Sequence, residues 1–437
     1  MKALLLQPRF MIKKLKNDII ILNSRGRHME DLRKHRLQIT KFGFYGLLKN
    51  LRFFEPYMII YFISYGLNLF LVGILLAIKE VIIYVFEIPS GVIADRYGKK
   101  IELVICFIFY IISFLLFFIS TEFYEFAIAM ILYALGEAFR SGTHKSMIMS
   151  YMDQENIKSS KTLIYGLTRS YSLIGSMIAS LVSIGLVLYL PEIRFLFLVA
   201  IIPYVIDLLL ILSYPNRLNE KRDVKFSMKS FLKHNIEHIK YTFKTKTVRN
   251  AVFNSASYQA TFKSIKDYIQ PILVSMSFGI LVFSQFNEEE HSKIYIGIIY
   301  AIIYLVSAIT SRNAYRVKSI GKPGVLIAYI WLFTAIAIGV LSFFLDSLIV
   351  VGFMFLLLYI MMNIRKPLMV ERIGDVTDND KRATVLSVES QTSSLLIVIF
   401  APLIGLLADY SMSLMFMIFS GVMVIIFIGN LIYVKNT

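Results

Sequence analysis

Apolar runs of membrane-crossing length recur along the whole chain, separated by short polar segments. In order they predict helices near residues 52–68, 69–94, 101–120, 123–146, 161–188 and 195–213. A polar, basic stretch follows at 214–250, and then six more runs near 251–281, 293–311, 324–345, 347–369, 383–409 and 414–434. A bilayer core takes about 20 apolar residues as a helix, so the pattern predicts an all-α membrane protein with twelve transmembrane helices. It also divides the chain. A basic N-terminal arm at 1–50 precedes a six-helix bundle at 51–213, and a basic linker at 214–250 leads to a second six-helix bundle at 251–437.

Composition supports this reading. The 437 residues are 57% hydrophobic and have a mean hydropathy of +0.67, outside the balance of soluble domains. The net charge of +17 alone would suit a nucleic-acid binder, but its placement argues for a membrane instead. Cations crowd the segments 95–100, 214–250 and 312–322, whereas Glu122, Glu125, Glu288, Glu289, Glu290 and Asp346 fall between the alternate runs. Basic loops stay inside, so the pattern predicts a multi-pass protein of the cell membrane with both termini cytoplasmic. Within the arm, Lys13, Lys14 and Lys16 beside the apolar residues 19–22 suit an anionic membrane surface. A disordered arm, or synthesis beginning at Met29, fits the same residues. In the linker, lysines interleaved with Phe231 and Ile239 fit helices lying along the membrane or a plain solvated connection.

The single cysteine, Cys106, lies inside an apolar run, which excludes an intrachain disulfide and a thiolate metal cluster. Six scattered histidines give no nucleophile–base or metal-ligand spacing. The expectation is therefore a non-enzyme without a metal or other cofactor.

One polar segment has internal structure. Between the second and third runs stand Gly91, Ala94, Asp95, Arg96, Gly98, Lys99 and Lys100, with Leu103 just beyond. Gly91 allows another backbone to approach closely, and Gly98 can supply the positive φ of a tight turn. Asp95 is placed to meet the positive N-terminus of a neighbouring helix. This spacing resembles the loop between helices 2 and 3 of the major facilitator superfamily, whose pattern runs G-x-L-A-D-R-x-G-R-K-x-x-L. Ile93 stands for its leucine and Lys99 for its first basic residue. The resemblance implies two six-helix pseudo-repeats related about the membrane normal and a pathway lined by spans 4, 5 and 7 among others. It also implies a gate built from Gly91, Asp95, Arg96, Gly98, Lys99 and Lys100. There Asp95 meets the N-terminus of span 11 near residues 383–385, and Arg96 joins an adjacent charge network. Faint internal echoes agree. A shift of 223 places Gly321 and Lys322 on Gly98 and Lys99, a shift of 221 places Lys366 on Lys145, and a shift of 222 places Asp375 on Asp153. Lys318 occupies the position that Asp95 would repeat to, so the gate belongs to the first half.

Charged residues inside the spans carry the candidate chemistry, because each costs at least ~2.5–3.5 kcal/mol at mid-helix unless it faces partners or water. The expected pairs are Glu137 with Arg140 and Lys263 with Asp267, three and four residues apart. Glu80 lies near the centre of span 2 with Lys79 turned about 100° away. Glu80 is thus the leading proton carrier, with Asp267 and Glu137 as competitors held ionised by their cations. Arg140, Arg169, Lys263, Lys266 and Gln270 are the expected substrate contacts. Glu55, Glu87 and Glu389 are expected nearer the cytoplasmic ends, where snorkelling or gating accounts for them. Gly175, Ala179 and Ser183 on span 5, and Ala401 with Gly405 on span 11, are small-residue stripes for close packing.

Together these features predict a secondary active transporter that works by alternating access, coupled to protons. Its expected partners are a small anionic or zwitterionic organic solute, protons and the lipid bilayer, with no nucleic acid and a monomeric protein. An exporter of amphipathic drugs by proton antiport is the alternative, although span 5 lacks the G-P-x-x-G-G pattern that resembles that group. A non-transporting receptor on the same fold is the remaining reading.

Overall fold

The computed structural model describes residues 34–155, 157, 161–219, 240–276, 287–314, 317, 321, 323–378 and 381–435. The arm with its lysines and Met29, Phe231 and Ile239 of the linker, and Lys318 and Lys322 lie outside these residues. The first half comprises α1 (Arg36–Leu48), a 3₁₀ turn (Glu55–Tyr57), α2 (Met58–Ser64), α3 (Leu69–Tyr97), α4 (Lys99–Ile119), α5 (Phe123–Arg140), α6 (Thr143–Gln154), α7 (Lys161–Tyr189) and α8 (Phe195–Leu212). The second comprises α9 (Lys246–Ile265), α10 (Ile269–Ser275), α11 (Glu288–Asn313), α12 (Pro323–Leu341), α13 (Leu348–Asp375), α14 (Arg382–Tyr410) and α15 (Met412–Lys435). No strand occurs among the described residues.

Nine of these helices, namely α3, α4, α7, α8 and α11–α15, are long and apolar enough to cross a bilayer. The first, fourth and seventh expected spans fall short for physical reasons. The fourth, α5, carries Glu125, Glu137 and Arg140 within its length. The seventh breaks between α9 and α10 at Lys266–Tyr268. The first breaks between α1 and α2, and it begins well before the expected Arg52. Residues 36–48, assigned from sequence to the arm, form α1 and bury Phe42 and Tyr45. The apolar run had hidden this start, because Lys49, Asn50 and Arg52 read as a membrane boundary when they are a polar break inside the span.

Broken backbone at membrane depth survives only where its polar groups find partners in protein. Around the first break, the Lys49 carbonyl accepts from Tyr204 at 2.9 Å and the Gly46 carbonyl from the Asn50 side chain at 2.5 Å. Gln270, reaching across from α10, accepts from the Ile59 N–H at 2.8 Å and donates to the Glu55 carbonyl at 3.2 Å. The break is thus held by the other half.

The two halves repeat one pairing scheme. The third span packs on the fourth and sixth, the first on the fifth and the second on the fourth, in each half alike. Between halves, α3 meets α14, α7 meets α11 and α2 meets α10. The closest meeting has no side chain on one partner: a Cβ at Gly405 would lie 2.2 Å from the Leu69 carbonyl oxygen, and one at Gly73 2.4 Å from that of Ala401. Gly175 seats against the Leu47 carbonyl in the same way. The small-residue stripes on α7 and α14 are therefore packing seams.

The face of the bundle opposite the basic loops has acids at its helix starts. Glu125 accepts from the Thr121 and Glu122 N–H groups at 2.7 and 3.2 Å, capping α5. Asn287 and Glu290 exchange 2.9 Å bonds at the start of α11. These acids sit where a helix dipole favours negative charge. At this acidic face the halves touch: Tyr57 donates to the Lys293 carbonyl at 2.8 Å, and Asp409 on α14 accepts from the Leu69 and Phe70 N–H groups at 2.8 Å each.

Candidate functional site

The loop between α3 and α4 turns at Gly98, whose φ of 101° is open to glycine and whose N–H closes α3 on the Ala94 carbonyl at 2.9 Å. Its cations bind within the first half. Lys99 donates to Ser150 at 2.7 Å, and Lys100 donates to the Tyr214 carbonyl at 2.8 Å and to Asn216 at 3.3 Å. Arg96 lies 5.4 Å from the Tyr97 ring centre. Gly91 faces open space, and Asp95 makes no hydrogen bond or ion pair with any described residue. Near the start of α14, Val385 instead packs on Val248, Val252 and Ile373 of its own half. The expected contact from Asp95 to span 11 is not formed among the described residues.

In the first half, Glu137 bridges two arginines, Arg140 from its own helix and Arg52 from the break in the first span. Tyr110 donates to Glu137 at 2.7 Å and accepts from Arg140 at 3.0 Å, and Arg52 donates to Tyr204 at 2.9 Å. The expected Glu137–Arg140 pair is present. Arg52 was not expected here, because it had been placed at the end of the span.

Glu80 is buried at the seam between halves. Ser394 of α14 donates to it at 2.7 Å, and Lys263 and Lys79 lie 3.7 and 4.0 Å away. Two expectations are corrected here. Lys263 partners Glu80 across the seam, not Asp267, and Lys79 does reach its neighbour. The cause is the break after α9, which removes the helical i, i+4 relation between Lys263 and Asp267. Asp267 instead takes Lys266 at 2.5 Å and accepts from Tyr300 at 2.9 Å. Gln270 donates to Tyr300 at 3.1 Å in addition to holding the first break, so its amide is fully engaged in structure. Glu55 belongs to this break, far from the basic face where sequence had put it. Glu389 is buried and accepts from Ser255 at 2.7 Å, and Ser141 reaches Glu87 at 3.4 Å.

Beside the arginine–glutamate triad lies a cavity of about 250 Å³ between α1, α5, α6 and α7. Lys49, Arg140, Lys145, Arg169, His144 and Tyr165 are among its walls, and no carboxylate is. Lys145 stacks over Tyr165 at 5.6 Å and Lys49 over Tyr45 at 5.5 Å. Neither amine, nor Arg169, has a carboxylate within 4 Å among the described residues. The structure thus brings together Arg140 and Arg169 of the expected substrate set, and leaves Lys263, Lys266 and Gln270 at the seam and the first break. Lys49 and Lys145 were missed, the former because it lay in the supposed arm. The density of lysine and arginine at 140–145 was the available signal. A further missed cation, Arg365 on α13, is buried between Tyr258 and Trp331 and donates to the Ile327 and Asn254 carbonyls at 3.0 and 2.9 Å.

Two like sets of helices, nine of them among the described residues long and apolar enough to cross a bilayer, joined at the acidic face and with charge buried along their seam, are the arrangement of a membrane carrier. The family model of the Major Facilitator Superfamily matches residues 50–365, and the chain belongs to that family of membrane transporters. An uncharacterized MFS-type transporter, YxaM of Bacillus subtilis (strain 168), is 26% identical over 229 residues, 52% of this chain and 56% of that protein. The chain therefore aligns with little more than half the length of this relative. Among solved structures, the nucleoside transporter NupG superposes with a TM-score of 0.71 at 15% identity, covering 92% of this chain and 99% of that one. A POT family transporter in complex with 5-aminolevulinic acid gives 0.68 at 15% identity over 91% and 94%. At such identity the likeness is one of fold.

Proposed function

We propose that this protein is a secondary active transporter that moves a small organic anion or zwitterion by alternating access, with protons as the coupling ion. The single observation that carries the substrate class is the cavity walled by Lys49, Arg140, Lys145 and Arg169 with no lining carboxylate. Lys49, Lys145 and Arg169 have no carboxylate within 4 Å among the described residues, and a bound anion would balance them. The substrate set is accordingly Arg140 and Arg169 with Lys49 and Lys145, and Gln270 is left out of it. The names of the fold neighbours, a nucleoside transporter and a POT family transporter, do not bear on this cationic wall.

The basic face is assigned to the cytoplasm by its loop cations, and the bonds that join the halves through Tyr57 and Asp409 lie at the opposite face, which supports reading this conformation as sealed outward. The Asp95 gate would then form in the opposite state. Glu80 remains the proposed proton site, since it is buried at the seam and, from the first half, takes both Ser394 and Lys263 of the second. The deciding experiment is uptake into proteoliposomes after a thermal-shift screen of anionic, zwitterionic, neutral and cationic metabolites. A ligand that favours the native state raises its melting temperature. Stabilisation and uptake confined to neutral or cationic amphipaths would overturn the anion reading in favour of a drug carrier.

A further inference from the structure

We infer that the solute carries at least two negative charges, as a phosphate monoester or a dicarboxylate does. This rests on the cavity reading above and sharpens it. Around the cavity stand Lys49, Arg52, Arg140, Lys145 and Arg169. Against these five cations are two carboxylates, Glu137 within the triad and Asp207, which is buried within electrostatic reach of Lys49. Asp207 makes no hydrogen bond through either oxygen. Even with both acids ionised, three positive charges are left over. His144 is counted as neutral.

A carrier must close its cavity at both faces in the course of transport. Closure removes water that now screens these charges, and charge repulsion strengthens as the local dielectric falls. A monoanion would leave two cations uncompensated in the closed state, whereas a dianion or trianion leaves one or none. Across the seam, Lys366 on α13 lies within electrostatic reach of Arg169, Lys145 and Lys263, and also of the Glu389 carboxylate, which offsets its charge. The donors also suit such a ligand: two guanidinium groups offer forked contacts to a carboxylate or phosphate, and two ammonium groups act as mobile point charges.

The test uses the purified full-length protein and compares matched probes by thermal shift and isothermal titration at fixed ionic strength. The probes are glycerol, a monocarboxylate, its dicarboxylate analogue, inorganic phosphate and glycerol 3-phosphate. Affinity is expected to rise roughly tenfold or more from monoanion to dianion, the scale of a good charge-assisted contact. Glycerol 3-phosphate should bind more tightly at pH 7 than at pH 5, because its second proton leaves near pH 6. Double substitution Lys145→Gln with Arg169→Gln should abolish the dianion preference. If the monocarboxylate binds as well as its dianionic analogue, the inference is overturned and the anion reading stands. If no anion binds while a neutral solute does, both fail, and if a zwitterion alone binds, the inference is overturned and the proposed function stands. Dianion binding that ignores the double substitution lies elsewhere and also overturns the inference.

Discussion

The carboxylate of Asp409, at the end of α14, receives the backbone N–H groups of both Leu69 and Phe70 at the start of α3, each at 2.8 Å. One side chain from the second half thus caps a helix of the first. An acid at a helix N-terminus contributes about 0.3–1 kcal/mol when exposed and up to ~2 when partly buried. Because the cap spans the seam, that energy belongs to one conformation and biases the equilibrium between states.

Asp409→Ala is therefore expected to shift the population toward the state parted at the acidic face by a factor of roughly 5–30, the equivalent of 1–2 kcal/mol. The native cysteine, Cys106, is buried, so maleimide labelling of an added Ala408→Cys has little background. Labelling of the double variant from the acidic face should be faster than that of Ala408→Cys alone. Equal rates would show that the cap does not hold the seam.

Asp95 makes no hydrogen bond or ion pair with any of the described residues, so Asp95→Asn should change the melting temperature by no more than an ordinary surface substitution, about ±0.5 kcal/mol in stability. Turnover in proteoliposomes should nevertheless fall sharply, since the contact proposed for Asp95 forms only in the other state. Transport at the normal rate would remove Asp95 from the gate.

Glu80→Gln keeps a hydrogen bond to Ser394 but has no charge for Lys263. Accumulation driven by a pH gradient should be lost while substrate exchange at equal pH persists. If that variant still accumulates substrate down a proton gradient, or if the unaltered protein ignores the gradient, Glu80 is not the coupling site.

Glu137→Gln leaves Arg52 and Arg140 facing one another without their shared counter-ion. Removing one partner from a buried charge set costs about 3–5 kcal/mol, so the variant should melt well below the parent in detergent. A melting temperature within error of the parent would mean that water already screens the triad.

The membrane fold was legible because its signal is repeated: nine helices among the described residues are long and apolar enough to cross a bilayer, and Gly98 turns the chain where the loop pattern required. What failed to show were features that depend on two distant segments. Lys49 and Arg52 looked like a membrane boundary, since only Tyr204 and Gln270, more than 150 residues away, reveal that the broken backbone between them is sheltered. Lys263 seemed tied to Asp267 by helical spacing that a break nearby cancels. Gln270 read as a ligand contact because a polar residue mid-span has no visible partner in one dimension. Conversely, Gly405 and Ala401 declared their packing role plainly, as small residues at i, i+4 need no tertiary information.

The seam at Gly73 and Gly405 also bears on how such a molecule can vary. Two helices that meet main chain to main chain have no interlocking teeth, so the surfaces can roll apart and re-engage without any side chain changing rotamer. The same smoothness leaves no slack: a methyl group at Gly405 would sit 2.2 Å from a carbonyl oxygen of the opposing helix. An added carbon there is a wedge driven into the outer edge of the seam, so these two positions set how fully the carrier can shut.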